Sequence, residues 1–345
     1  MAISNDPDVA LLLMIGGDAP DRVVRQEGRI RISGASDITK LLLPGDRYHR
    51  LHVTRNKLRQ SRRPKLEQYS HLLNLITEAE ESSRSLDAMQ KLLRGVPGKI
   101  INPPQAVLRT TRDQVARRLR GLSGLVVPEV IRLAVGKSTE LCRRQLADSG
   151  AVPPFILRQV GTHSGVIVGC FDDVESLLAA RAPDVDHVAI RFVDFQSGDN
   201  LYRKYRIFFI DGQLILRHML ISDSWNVHAK DRVRFMAQRP ELVAEECALF
   251  AESEPFAPGV RQVLHGVRER MGLDFFGMDF GITRDGEVVL FEANATMNFF
   301  PFARDPQFAY LQRCLPPARH AFRELLGLPP EQHGRTDFSL HLEPA

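Results

Sequence analysis

The sequence holds few cysteines, and none of them is placed for a metal or a redox pair. Cys142, Cys170, Cys247 and Cys314 stand far apart and never fall into C-x-x-C spacing, which argues against a zinc ribbon or a dithiol motif. They are expected to be reduced, buried fillers. Long apolar runs are missing too: none reaches the roughly 18 to 20 residues that a bilayer span needs. Val9 to Ile15 is too short for a signal segment and lacks basic residues before it, so a cytoplasmic protein is expected. There is no G-x-S-x-G elbow and no cysteine–histidine motif, which removes the familiar nucleophile-based chemistries. No internal repeat or low-complexity segment stands out.

A strong excess of charge is also absent. Lys and Arg number 46 against 42 Asp and Glu, a formal net charge of +4, with a pI near 9.0. That balance is too mild to prove nucleic-acid binding, though it suits a protein that handles phosphates or acidic substrates. It leaves a homo-oligomer open. What is present is ordinary globular material, 43% hydrophobic and 26% charged over 345 residues. At roughly 100 to 200 residues per domain this length predicts two or three compact units with a cleft between them.

The N-terminal third predicts strands at Val9 to Ile15, His71 to Thr77 and Lys99 to Asn102. Between the last two, Ser82 to Leu93 carries Leu86, Met89 and Leu92 or Leu93 at helical spacing. A strand–helix–strand pattern of this kind implies a parallel α/β domain, which Asn102-Pro103-Pro104 closes. A basic helix from about Thr111 to Leu122 follows, with Arg112, Arg117, Arg118 and Arg120 around an inner face of Val115 and Leu119. From Phe155 to about Leu326 the chain reads as long strand-like runs separated by tight-turn dipeptides. Ser33 to Lys65, with Arg55, Lys57, Arg59, Arg62, Arg63 and Lys65, carries no clear pattern and reads as a solvated basic face.

The segment Phe275 to Asn298 is the most informative. Asp285-Gly286 suits the centre of a two-residue hairpin, where both positions need positive φ. Pairing Arg284 with Glu287 then puts Asp279 directly opposite Glu292. Asn294, two residues on, points to the same side. Like charges facing each other in a sheet are destabilising, and three oxygen-bearing side chains on one patch suit Mg²⁺.

A second hairpin turns at Asp211-Gly212, and the same count places Arg206 opposite Arg217. Two cations on one face predict an anion, and paired guanidinium donors fit a triphosphate. A third element, Phe155 to Phe171, flanks the loop Gly161-Thr162-His163-Ser164-Gly165 with two apolar strands. Its glycines let backbone N–H groups approach phosphate.

Taken together, Gly277-Met278-Asp279, Phe291-Glu292-Ala293-Asn294, Tyr205-Arg206-Ile207 and the glycine loop resemble the ATP-grasp superfamily, most closely its glutathione synthetase and glutamate-adding ligase branch. The resemblance implies an α/β and α+β architecture. A Rossmann-like parallel domain (1–104) precedes a linker helix with the first ATP-grasp subdomain (105–195), a second subdomain carrying the metal site (196–330), and a tail (331–345). It implies ATP and two Mg²⁺ ions, with Mn²⁺ as a substitute. Asp279, Glu292 and Asn294 would hold metal, Arg206 and Arg217 would contact phosphates, and Gly161 to Gly165 would cover the triphosphate.

In the same way Ile190, Phe192 and Val193 would lie along the adenine, and Asn226, in Trp225-Asn226-Val227-His228, would mark the substrate end. Two positions depart from the family. Arg158 stands where relatives carry Lys before the glycine loop, and Asp113-Gln114 stands where they carry Asp-Lys. The implied activity joins a small-molecule or peptide carboxylate to an amine through an acyl phosphate. An ATP-grasp phosphotransferase or carboxylase component, or a non-catalytic basic binding protein, remains an alternative at this stage.

Overall fold

The computed structural model describes residues 9–18, 23–26, 29–32, 36–55, 64–160 and 167–331. The chain begins with β1 (Leu11–Gly16), a small hairpin of β2 (Val23–Gln26) and β3 (Arg29–Ile32), and then β4 (His49–Val53), β5 (His71–Asn74), α1 (Ser83–Leu92) and β6 (Lys99–Ile101). β4-β1-β5-β6 form one sheet in which every pairing is parallel. This is the α/β unit expected from the sequence, and Leu86 and Met89 of α1 are fully buried. β4 comes from the Ser33–Lys65 stretch. Lys57, Arg59, Arg62 and Arg63 of its basic run lie outside the described residues.

β6 is followed by Asn102, a fully buried residue in left-handed geometry. Its amide donates to Phe275 O at 2.8 Å and its Oδ1 accepts from Asp274 N at 2.8 Å. The N-terminal sheet is thereby tied to a strand of a later sheet. Pro104 then starts α2 (Pro104–Val107), as a proline can at a first helical position, and α3 (Arg112–Leu119) follows. α3 is shorter than expected because Arg120 leaves helical geometry and Gly121 takes φ +75°.

After β7 (Leu125–Val126) the chain builds a separate antiparallel layer. Its elements are β8 (Val130–Leu133), α4 (Thr139–Asp148), β9 (Phe155–Gln159), β10 (Ile167–Phe171), α5 (Val174–Ala180) and β11 (His187–Arg191), with strand order β10-β9-β11-β8. Ser138 and Asp173 cap the two helices by accepting from Leu141 N and Ser176 N, which supplies orphan first-turn donors with partners. Leu133, Cys142, Phe155, Leu157 and Leu177 fill the core between helices and sheet.

The last sheet is made by β12 (Tyr202–Ile210), β13 (Gln213–Ser222), β14 (Phe275–Ile282) and β15 (Val288–Asn294), with α6 (Pro240–Leu249), α7 (Pro258–Met271) and α8 (Leu315–Leu325) around it. Its order is β13-β12-β14-β15-β7. Strand alternation sends Ile207 and Phe209 toward α7 and α3, and Phe208 and Ile210 toward α8 and the N-terminal sheet. Burial on both faces explains the unbroken apolar run Ile207 to Ile210. Toward the other end of β12 the even-numbered face carries Lys204 and Arg206 instead.

Two boundaries differ from the sequence expectation. β7, expected in the first subdomain, pairs in parallel with β15. α8 shares its core with β1 as well as with the last sheet, through Phe322, Leu325, Leu11 and Leu13. All four cysteines are free. Cys142 and Cys314 are the expected buried fillers, Cys247 is half-buried, and Cys170 is exposed. Among the described residues no helix is long and apolar enough to cross a membrane.

Candidate active site

The site is set by two hairpins, and in each a β-bulge changes what the turn alone would dictate. At the β14–β15 end the turn holds three residues rather than two. Gly286 N donates to Thr283 O at 3.0 Å and Thr283 N to Glu287 O at 2.9 Å, with Gly286 at φ +83°. Ile282 therefore faces Val288, one residue out of the expected register. The slip lasts only to Phe280, which faces Leu290; a bulge at Phe291 then restores the count, and Asp279 faces Glu292 as predicted. A bulge inserts one unpaired residue, so a wrong turn and a hidden insertion cancel.

The β12–β13 hairpin shows the reverse. Its Asp211-Gly212 turn pairs Ile210 with Gln213 as predicted, with φ of +49° and +83°. A bulge beyond Leu216 then brings His218, not Arg217, opposite Arg206. Arg217 is the bulged residue and does not stand directly opposite Arg206. Its Nε donates to Phe299 O at 2.6 Å and its Nη2 to Pro301 O at 2.8 Å, and it stacks 3.9 Å over the Phe302 ring.

Asp279 also lies opposite Arg206 on its other neighbouring strand. Arg206 donates from Nε and Nη2 to the two carboxylate oxygens at 2.6 and 2.8 Å, and Lys204 Nζ stands 3.8 Å away. Glu292 meets Arg112 Nη2 at 3.2 Å, and Arg112 Nη1 also donates to the carbonyl of the bulged Phe291. Asn294 donates to Glu292 Oε1 at 2.9 Å and accepts from Thr296 N at 3.0 Å. The like-charge conflict expected between Asp279 and Glu292 is thus met by side-chain cations. Gly277 completes the motif because a Cβ there would stand 2.6 Å from Met297 Sδ.

Burial alone would raise both carboxyls, but the cations outweigh it: Arg206 and Lys204 hold Asp279 below the usual range, and Arg112 and Arg158 do so for Glu292. Burial, with the nearby Arg112, pushes Arg158 down to about 10. Burial also lowers Lys204. The buried His218, surrounded by Arg206, Arg217 and Arg232, is held well below its ordinary value and is neutral. Counting the charged residues that line the cleft together with Lys204 and Asp279, Arg112, Arg132, Arg158, Lys204 and Arg206 stand against Glu78, Glu80, Asp279 and Glu292, a surplus of one positive charge.

Arg112, Arg158, Arg206, Glu292 and Asn294 line one cleft of about 440 Å³. Thr77, Glu78 and Glu80, from the loop after β5, and Thr296 to Asn298 also line it. Arg132 bridges Glu80 and Asp113 there, at 2.8 Å to the latter. Ile190 lines a small recess beside the cleft with Val127, Leu290 and Phe291. Phe192 instead donates its N–H to Pro154 O and sets its ring 5.6 Å from Trp225. Val193 packs against the cluster around Phe195. Asn226 is exposed and is not among the residues lining the cleft. The loop Gly161, Thr162, His163, Ser164 and Gly165 lies outside the described residues, as do 332–345.

The donor set fits a hard divalent cation. Glu292, with 37% of its side chain exposed, and Asn294 open onto the cleft, while Asp279 stands behind them in register with Glu292. Sequence reasoning missed Lys204, though it lies two residues before Arg206 on the same face of a strand. It also missed the Glu292 contact of Arg112, which depends on how α3 docks and leaves no local signal.

No family model matches the sequence, and no curated protein matches it. Solved structures do match. The D-alanine–D-alanine ligase from Coxiella burnetii is similar over 93% of this chain and 94% of its own, with a TM-score of 0.53 at 13% identity. The VanG D-Ala:D-Ser ligase from Enterococcus faecalis is similar over 92% and 98%, at 0.51 and 10%. The ATP-grasp ligase PsnB, in complex with a phosphomimetic variant of its minimal precursor, Mg and ADP, is similar over 92% and 99%, at 0.50 and 14%. The chain has the fold of the ATP-grasp ligases.

Proposed function

We propose that the chain is an ATP-dependent carboxylate–amine ligase that works through an acyl phosphate. The observation that carries this is the convergence of Arg112, Arg158 and Arg206 with Glu292 and Asn294 in one cleft of an ATP-grasp fold. The guanidinium groups of Arg112, Arg158 and Arg206 converging on one cleft suit phosphate oxygens, and ATP fits them. Ile190 and Leu290, in the adjoining recess, supply apolar contact for the base. Glu292, Asn294 and Asp279 would hold Mg²⁺, two ions in this reading, with Mn²⁺ able to replace them. The metal would neutralise phosphate charge and polarise the phosphoryl group.

In this reading the chain's own side chains orient and stabilise. Arg206 is within reach of both Asp279 and the cleft, so it can share its donors between that carboxylate and the γ-phosphate. Arg158 and Arg112 offset charge that builds on the transferring group. The acid substrate attacks the γ-phosphate, releasing ADP; the amine then displaces phosphate from the acyl phosphate to give the amide. No side-chain nucleophile is required. A small-molecule or peptide acid and amine are the partners, and a cytoplasmic site of action agrees with four unpaired cysteines.

Hydroxylamine decides the question while the natural amine is still unidentified. With ATP, Mg²⁺ and pools of amino acids, short peptides and other carboxylic acids, it should trap the acyl phosphate as a hydroxamate whose mass names the acid. Substrate-dependent ADP release that yields a phosphorylated product, and never a hydroxamate or amide, would move the protein to the phosphotransferases.

A further inference from the structure

Arg217 is 5% exposed, and its hydrogen bonds run to two backbone carbonyls, Phe299 O at 2.6 Å and Pro301 O at 2.8 Å. The same stretch of chain is gripped from its other side by Asp37, at the first position of the 3₁₀ turn Asp37–Leu41 in the N-terminal unit. Asp37 Oδ1 accepts from Phe299 N at 2.7 Å and Oδ2 from Phe300 N at 2.8 Å. Phe299 therefore has its N–H held by an anion from one unit and its C=O held by a cation from another. Charge-assisted bonds of this kind are about twice as strong as neutral ones. In β13 Arg217 is the bulged residue, and His218 takes the position opposite Arg206.

The gripped segment lies just beyond the site. Between Asn294 and Phe299 the chain contributes Thr296, Met297 and Asn298 to the lining of the cleft. Thr296 Oγ1 donates to Thr77 O at 2.6 Å, joining this stretch to the N-terminal unit a second time. The nucleotide-facing groups, Arg158, Arg206 and Ile190, belong to other elements.

We propose that Arg217 is a positioning residue. With Asp37 it clamps the chain at Phe299 and so holds Thr296 to Asn298 as the wall that the carboxylate substrate meets, rather than contacting phosphate itself. This rests on the ligase reading above. The clamp makes the N-terminal unit a direct determinant of the substrate wall, because one half of it is Asp37.

Arg217→Lys and Asp37→Asn test it from two separate elements, so a folding defect in one leaves the other. Hydrogen exchange at the Phe299 and Phe300 amides should speed up by about ten-fold or more in both variants while β12 and β14 amides keep their rates. Affinity for a non-hydrolysable ATP analogue with Mg²⁺, by calorimetry, should stay within about two-fold of wild type. With the acid identified by hydroxylamine trapping, its KM should rise by about ten-fold or more in both variants, and the KM for ATP should not.

An Arg217→Lys protein that loses nucleotide affinity while its Phe299 and Phe300 amides stay protected would overturn the proposal in favour of a phosphate contact. Loosened amides with an unchanged acid KM would overturn it as well. If wild type forms no hydroxamate, the ligase reading fails, and the exchange and nucleotide measurements still judge the clamp.

Discussion

Arg206 and Asp279 face each other across β12 and β14, with two guanidinium donors on two carboxylate oxygens at 2.6 and 2.8 Å. The Asp279 side chain is 7% exposed and that of Arg206 23%. Removing one partner of such a pair costs about 3 to 5 kcal/mol, because a buried charge is left uncompensated. The two halves are not equivalent. Arg206→Met leaves Asp279 with Lys204 at 3.8 Å, whereas Asp279→Asn leaves Arg206 and Lys204, side by side on one face of β12, without the anion they share. Urea unfolding should therefore show Asp279→Asn as the more destabilised. The reverse order would mean that Lys204 does not compensate.

Glu292 is expected to behave differently. It is more exposed than Asp279, so Glu292→Gln should alter stability by less than about 1 kcal/mol. The substitution removes a ligand charge from the proposed metal site, and substrate-dependent ADP release should fall by about a hundred-fold or more. Wild-type turnover should also stop in excess chelator and return with Mg²⁺ or Mn²⁺. Full activity in chelator would remove the metal from the reading.

Nucleotide binding should be visible in unfolding. ATP with Mg²⁺ at about 100 times its Kd should stabilise the fold by about 2.7 kcal/mol through mass action. Arg158→Ala should shrink that shift, since Arg158 lines the cleft and lies close enough to Glu292 and Asp279 for their charge to offset part of the downward push of burial. A thermal midpoint indifferent to millimolar nucleotide would contradict an active ATP site.

Tyr205 gives a pH signature. Burial, the main cause, pushes its phenol from the ordinary 10.0 up to about 12. In the unfolded chain it ionises near the ordinary value while the folded chain still holds its proton. The resulting stabilisation is complete below pH 10 and is lost as pH rises through the folded value, by at most about 2 to 3 kcal/mol. Tyr205→Phe lacks this dependence. Denaturation at pH 8 and at pH 11 should show wild type losing stability relative to the variant, and parallel behaviour would place the phenol in water.

The sequence by itself determined the parallel N-terminal sheet and the type of turn at Asp211-Gly212. It also determined that Glu292 and Asn294 share one face, whereas Asp279 joins them only through the bulge at Phe291. These are local matters: apolar period, positive φ at particular residues, and alternation along a strand. What it could not contain was the insertion of one residue at Phe291 and another at Arg217. A bulge is chosen by how both sheet faces pack, here Phe291 against Phe195 and Arg217 against Phe302, and neither contact is local in sequence.

The tertiary structure alone decided which cations answer which carboxylates. Arg112 reaches Glu292 only because α3 docks beside β15, and Arg132 reaches both Glu80 and Asp113 only because the β8 layer stands against the N-terminal unit. Long flexible side chains of one charge are interchangeable in a sequence, and packing selects among them. So the shared side of Glu292 and Asn294 was legible, whereas Arg217 was read as a phosphate ligand and stands in the fold as a bond between Phe299 and β13. The turn fixed where that hairpin begins, and only the packed sheet fixed which way its arginine points.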